Sequence, residues 1–263
     1  KFEQEMEEVA DFIVKSKRIV VFTGAGVSTE SGIPDFRSPD GIWSKYNPYE
    51  FTYQRFIEHP IARRKMWQML LETGMAKKAD PNPAHWAIAE LYKLGNLDCV
   101  ITQNVDNLHQ IAGVPEDRVF ELHGNMQWVI CLGCGKRYPL AEIIPAIEKN
   151  EDLPDCEFCH GVLKPDAVFF GEPLPEKVLN EAISRSNSCD LFIVIGSSLV
   201  VYPAAFMPTY AVNSGARLVI INLTSTPMDD QATILIRAKA GEAMSQIVKK
   251  IRKKSKVIKR ETF

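Results

Sequence analysis

An α/β fold, with a parallel sheet covered by helices on both faces and a smaller second lobe, is what the 263 residues predict. Two observations carry that expectation. Short, β-branched, nearly uninterrupted apolar runs recur at helix-length intervals, the pattern of strands buried on both faces of a parallel sheet. Two segments, about 35–85 and 124–170, break the rhythm and so read as insertions forming a second lobe. A chain of this length that is 46% hydrophobic can bury the large core such a fold needs.

The elements follow in order. Phe2, Met6, Val9 and Ile13 recur at helical spacing, so residues 2–16 predict an amphipathic helix. Arg18–Phe22 is a strand that ends in Thr-Gly-Ala-Gly. Asp98–Ile101 runs into Thr-Gln-Asn, Val119–Leu122 into His123, Asp190–Ile195 into Gly-Ser-Ser, and Arg217–Ile221 into Asn-Leu-Thr. Ligands of open parallel sheets lie outside the carboxyl ends of the strands, so these polar endings are the expected lining of one site. The 35–85 insertion, with Trp43, Tyr46, Pro48, Tyr49 and Tyr53, reads as loop plus short helices. The large lobe is then expected over 1–34, 86–123 and 171–250, with 251–263 as a basic tail. That tail reads as a solvated, frayed helix end rather than a nucleic-acid anchor. A net charge of −2 provides no global field toward nucleic acid or anionic lipid. Apolar stretches such as Leu191–Ile195 are far too short to span a bilayer. The first residues, Lys-Phe-Glu-Gln-Glu-Met, form no signal peptide, so an intracellular, cytoplasmic location is expected.

Four of the six cysteines form two knuckles, Cys131-x2-Cys134 and Cys156-x2-Cys159, separated by 21 residues. Two such knuckles let four thiolates close a tetrahedron around zinc, leaving no open position, so the metal is expected to be structural. Disulfides or a redox dithiol are the competing readings. His160 could also stand in as a ligand.

Gly24-Ala-Gly26 follows a strand and precedes a possible helix start at Val27-Ser-Thr-Glu, where backbone could approach a pyrophosphate. The pattern alone is weak, because Thr29 occupies the place of the third glycine of the dinucleotide fingerprint. The extension Ser31-Gly-Ile-Pro-Asp-Phe-Arg37 makes it specific, since nothing in core packing calls for that order. Thr102-Gln-Asn-Val-Asp106 places two amides and an acid at another strand end, better suited to a polar ligand than to a helix cap alone. Of the five histidines, His59, His85, His109, His123 and His160, His123 has the setting of a base. It stands at a strand end beside Gly124, at the hinge into the cysteine-bearing insertion.

Together these motifs resemble the sirtuin family. Gly24–Arg37, Thr102–Asp106, His123-Gly124, the two cysteine pairs, Leu163–Glu172, Gly196–Ala205 and Ile221–Leu223 match its signatures in order, over about residues 5–250. The resemblance implies a Rossmann-like large domain and a small domain of zinc ribbon plus helical insertion. It implies NAD as co-substrate, one structural zinc, and an acetyl-lysine peptide as partner. Gly24, Ala25, Gly26, Ser197 and Ser198 are then expected to hold phosphates and Asn222 a ribose. Ile33, Asn104 and Asp106 are expected around nicotinamide. Thr29, Asp35, Phe36, Arg37, Gln103, Gly196, Leu223 and Ala240 complete the expected NAD contacts. His123, which also faces the cofactor, and Asn104 are the expected catalytic residues. The peptide is expected as an added strand between Phe169, Gly171 and Glu172 on one side and Leu199, Val200, Val201 and Tyr202 on the other, with Val168 and Phe170 flanking the acyl-lysine.

The implied chemistry begins with attack of the acetyl oxygen on the ribose carbon that carries nicotinamide. His123 then takes a proton from a ribose hydroxyl, and water completes the reaction, giving lysine, nicotinamide and O-acetyl-ADP-ribose. Family members that prefer succinyl or malonyl groups carry a Tyr-x-x-Arg pair before the Pro-Asn-x-x-His stretch. Leu70 and Thr73 stand at the comparable positions, so acetyl or a longer neutral acyl group is expected over succinyl. The alternatives are a mono-ADP-ribosyltransferase on the same scaffold, a zinc-ribbon nucleic-acid module anchored by the basic tail, and a hydride-transferring dehydrogenase.

Overall fold

A computed structural model of the chain describes residues 2–76, 78–149 and 153–261, the last six by their backbone alone. Helix α1 (Phe2–Lys15) leads into strand β1 (Ile19–Thr23). The first insertion holds α2 (Ile42–Lys45), α3 (Tyr53–Glu58) and α4 (Pro60–Glu72). Then come α5 (Pro83–Lys93), β2 (Leu97–Thr102), α6 (Leu108–Ile111) and β3 (Val119–Glu121). The second insertion holds β4 (Gly124–Cys131), β5 (Arg137–Pro139), α7 (Leu140–Glu148) and β6 (Leu163–Ala167). The chain closes with α8 (Glu176–Ser188), β7 (Leu191–Ile195), α9 (Met207–Asn213), β8 (Arg217–Ile221), β9 (Ile234–Ile236) and α10 (Ala240–Glu261).

Six strands form a parallel sheet in the order β3-β2-β1-β7-β8-β9. All five residues of β1 and all five of β7 are buried, as central strands covered on both faces must be. Their side chains alternate. Ile19, Val21, Ile193 and Ile195 join one core with Met6, Val9 and Ile13 of α1, Ile88 of α5 and Ile247 of α10. Val20, Phe22, Phe192 and Val194 join the other with Ala182 of α8 and Ala211 of α9. A separate antiparallel sheet, β5-β4-β6, shares a third core with the first insertion, where Phe56, Trp67 and Leu70 meet Val129, Tyr138 and Leu163. Among the described residues, no helix is long and apolar enough to cross a membrane.

Two expectations are corrected. The glycine loop does not start an α-helix: two 3-10 turns, Ala25–Val27 and Thr29–Ser31, follow β1. Val27 and Ser28 turn inward and are buried, and Gly32 (φ 81°) followed by Pro34 ends the turn before an α-helix can propagate. The basic tail is not frayed over its described backbone, residues 251–261, either. Helix α10 runs to Glu261, and its cations mesh with acids spaced four apart on α1. Lys250 lies 2.7 Å from Glu3 and 3.1 Å from Glu7, Lys254 lies 2.7 Å from Asp11 and also meets Glu7, and Arg252 pairs with Glu90 of α5. The side chains of residues 256–263 lie outside the described residues.

Candidate active site

The strand order reverses direction between β1 and β7, and the crevice at their carboxyl ends is where an open α/β sheet receives its ligand. Glycines let the two strand ends approach. The Gly24 amide donates to the Ile195 carbonyl at 3.2 Å and the Gly26 amide to the Gly196 carbonyl at 2.9 Å. A Cβ on Gly24 would fall 2.7 Å from that Gly196 oxygen. Gly196 itself has φ 63°, and a Cβ there would fall 2.3 Å from the Val27 nitrogen. The apposition leaves backbone, Ser197 and Ser198 on the crevice floor.

The amides of the β2 end build the adjoining wall. Asn104 Nδ2 donates to the Gly24 carbonyl (3.0 Å) and to Ser28 Oγ (3.3 Å), so Oδ1 is the amide atom that remains for a ligand. Ser28 Oγ donates to Asp106 Oδ2 at 2.6 Å, and the Leu108 amide donates to Oδ1 at 3.0 Å. Burial pushes the Asp106 carboxyl up from its ordinary value, against the pull of those hydrogen bonds. Ser197 Oγ donates to Gln103 Oε1 at 2.7 Å, tying the β7 end to the β2 end.

His123 Nδ1 lies 2.9 Å from the Gln103 carbonyl. A carbonyl only accepts, so Nδ1 carries the proton in this pair, and Nε2 is the free, basic nitrogen. Burial lowers the imidazole pKa and the Gln103 bond raises it less, so the ring is neutral near neutral pH. The other histidines have different places. His85 and His109 are buried beneath the site with ring centroids 5.1 Å apart, and burial holds both well below the ordinary imidazole value, His85 at about 4. His85 Nδ1 accepts the Asn82 amide at 3.2 Å and closes a capping box on α5, which is its first-turn role. His59 is exposed, and His160 (φ 57°) sits in the second knuckle.

These groups open on one cavity of about 480 Å³. Of the expected cofactor residues, Gly24, Ala25, Gly26, Ile33, Asp35, Phe36, Arg37, Gln103, Asn104, Asp106, His123, Gly196, Ser197, Ser198 and Asn222 line it. So do Val168, Phe169, Phe170, Gly171, Glu172, Val201 and Tyr202 of the expected peptide residues. Five expected residues stand off it. Thr29 bonds the Gly26 carbonyl, Leu223 points to solvent, Ala240 is buried at the start of α10, Leu199 is buried with φ 54°, and Val200 is exposed. Ser28, absent from the expected set, links Asn104 to Asp106. Its place inside the glycine motif was the available clue. Met66, Met69 and Leu70 of α4, with Met75 and Met126, give the cavity an apolar end.

The four knuckle sulfurs lie within 4.8 Å of one another, with Cys131 Sγ to Cys159 Sγ 3.4 Å and Cys134 Sγ to Cys156 Sγ 3.7 Å. A disulfide needs about 2.05 Å. Tetrahedral zinc–thiolate bonds of about 2.3 Å set sulfurs roughly 3.8 Å apart. A Cβ on Gly161 would fall 2.9 Å from Cys131 Sγ, so the knuckles close around sulfur with no room for a side chain. The cluster fits one structural zinc, and its four sulfurs complete the set without His160.

Comparison with known proteins shows the family. A family model described as "Sir2 family" matches residues 24–203. An NAD-dependent protein deacylase of Archaeoglobus fulgidus is 46% identical over 95% of this chain and 98% of its own. An NAD-dependent protein deacetylase of Thermodesulfovibrio yellowstonii is 46% identical over 100% of this chain and 98% of its own. A Sir2 enzyme solved with a deacetylated peptide and 3'-O-acetyl-ADP-ribose superimposes with a TM-score of 0.87 at 42% identity, covering 93% of this chain and 97% of that one. A Rossmann-like sheet with a cysteine-clamped ribbon thus defines the class, and the chain belongs to the Sir2, or sirtuin, family.

Proposed function

We propose that the protein is an NAD-dependent protein-lysine deacetylase that moves the acetyl group from lysine to ADP-ribose, releasing nicotinamide. The observation that carries this reading is the His123 tautomer: Nδ1 is held by the Gln103 carbonyl, leaving a basic Nε2 in the cavity that the glycine loops also line. In this reading the cleft lies between a large lobe (1–34, 86–123, 171–250) and a small one (35–85, 124–170), with a tail over 251–263. Gly24–Gly26, Ser197 and Ser198 face the phosphates, and Asn222 a ribose. Asn104 and Asp106, fixed through Ser28, face the nicotinamide side, where a positive sugar develops as the glycosidic bond breaks. The peptide pairs with the Phe169–Glu172 backbone, and His123 accepts the ribose hydroxyl proton. Cysteines unpaired by disulfides, four of them gathered for zinc and Cys99 and Cys189 buried, suit a reducing compartment, the cytoplasm in our reading. The test is nicotinamide release from NAD with and without an acetyl-lysine peptide. Release that depends on the peptide and yields free lysine supports the reading, whereas protein-bound ADP-ribose without deacetylation supports a transferase.

The acyl end of the cavity sets a second prediction. Leu70 lines it, whereas the Thr73 hydroxyl bonds back to the Met69 carbonyl at 2.7 Å, at the C-terminal end of α4. Among the described lining residues, Arg37 is the one fixed cation, and it belongs to the cofactor loop. A succinyl carboxylate buried there without a partner costs several kcal/mol. We expect kcat/KM for a succinyl-lysine peptide at least about 100-fold below that for the same acetylated peptide, a gap of about 2.7 kcal/mol. Desuccinylation at a rate equal to deacetylation would refute the assignment of this pocket to neutral acyl groups.

A further inference from the structure

Lys164 is the only formally charged residue buried among the described residues, its side chain 3% exposed, and it sits directly under the loop that follows β6. An ammonium has three protons, and Lys164 Nζ has three acceptors: the Pro165 carbonyl at 2.9 Å, the Ala167 carbonyl at 2.6 Å, and Glu172 Oε2 at 3.2 Å. It also lies 4.4 Å from the centre of the Phe169 ring. Glu172 in turn accepts the Phe169 amide at 2.9 Å, and the Glu172 amide donates to the Phe169 carbonyl at 3.0 Å. That closes a tight turn with Gly171 at φ 84°, the residue such a turn requires. The same loop is tied to the catalytic side, because the Val168 amide donates to the His123 carbonyl at 2.8 Å. Burying a charge is costly unless close, well-directed acceptors compensate it, and these three do.

We propose that Lys164 is the positioning residue of the substrate loop: by holding the Ala167 carbonyl and the Glu172 carboxylate on one ammonium, it sets the turned 167–172 backbone in its peptide-receiving form before the peptide arrives. The inference rests on the deacetylase reading. It does not touch the NAD side, since none of the groups Lys164 holds belongs to the glycine loops. A preset loop spares the peptide the cost of ordering it, so the effect should fall on peptide KM.

Lys164→Met removes the three donors but strands the Glu172 carboxylate, which lowers stability by itself. The double variant Lys164→Met/Glu172→Gln removes that charge while Gln still accepts the Phe169 amide. Measured against Glu172→Gln alone, the double variant should show peptide KM raised at least about tenfold, with kcat within about threefold and the dissociation constant for ADP-ribose within about twofold. A merely structural lysine would lose its effect on KM once the double variant regains thermal stability. Equal peptide KM in the double variant and in Glu172→Gln therefore overturns the proposal. Should the variants fail to fold, hydrogen exchange on the peptide-free wild type decides. The Phe169 amide should be protected about 100-fold or more, and exchange at the unstructured rate overturns the proposal. Wild-type protein that releases no nicotinamide with an acetyl-lysine peptide would instead sink the deacetylase reading itself.

Discussion

His123→Ala should lower deacetylation by about 100- to 10,000-fold, the range over which a positioned general base contributes. The fold should survive it. The change deletes one hydrogen bond, to the Gln103 carbonyl, worth about 1 kcal/mol. His123→Asn separates the two functions of the ring. An asparagine amide can donate to the same carbonyl that Nδ1 serves, but it has no basic nitrogen to replace Nε2. If His123 acts as the base, His123→Asn regains stability and remains as slow as the alanine variant. If the ring only braces Gln103, and through it Ser197 at 2.7 Å from the Gln103 side chain, the asparagine should restore the rate. A pH profile gives an independent check. The base works deprotonated, so kcat/KM falls as pH drops through the imidazole pKa. Burial lowers that pKa from 6.5, more than the Gln103 bond raises it, so the acid limb should lie below pH 6.5. An acid limb above pH 6.5 that disappears in His123→Asn would contradict the burial argument while sparing the role.

The large sheet is legible in the sequence because burial on both faces leaves strands such as Leu191–Ile195 no room for polar residues. The strand endings are legible for the complementary reason: backbone that must open on a ligand is built of glycine, serine and amides. The cysteine knuckles are legible because a metal fixes both residue type and spacing. What escapes is whatever depends on a partner distant in the chain. Lys164 escapes for a different reason: its acceptors Pro165, Ala167 and Glu172 are near in the chain, but only the pairing of β6 with β4 and the turn at Gly171 fold them onto one ammonium. Nothing local to Ser28 says that its hydroxyl reaches Asp106 rather than capping a helix. The α1–α10 mesh is an intermediate case. The four-residue spacing of Glu3, Glu7 and Asp11, and of Lys250 and Lys254, is plain in the sequence, but only the side-by-side packing of the two helices, running in the same direction, brings the rows together. Being exposed, those pairs add little stability, and they leave fewer cations free on α10 for nucleic acid.

Removing the zinc should abolish deacetylation although no zinc ligand approaches the reacting groups. Strand β4 carries Gly124 at one end and Cys131 at the other. At about 3.3 Å per residue, the cysteine cluster lies roughly 23 Å from the His123 end. The connection is mechanical. Cys131 pairs with Leu163 at the start of β6 and Gly124 with Ala167 at its end, so one two-strand ladder joins the cluster to both His123 and the substrate loop. Cys156 and Cys159 lie in the segment that feeds β6, so a metal bridging the knuckles holds the far end of the ladder in register. Structural zinc contributes on the order of 10 kcal/mol, comparable to the whole stability of a domain. The core it supports, with Val129, Tyr138 and Leu163, shares no residue with the two cores of the large sheet. Chelation, or Cys131→Ala, should therefore split thermal unfolding into two steps, the earlier at least roughly 10 °C below the native transition. Tryptophan fluorescence should report that early step, because Trp43 and Trp67 pack in the small-lobe core, Trp128 lies on β4, and Trp86 alone belongs to α5. Deacetylation should vanish in the same step and return when zinc is restored to the chelated protein. Zinc-free protein that kept a single, unshifted transition and full turnover would show that the ladder holds its register without the metal, and the route from the cysteines to His123 would carry nothing.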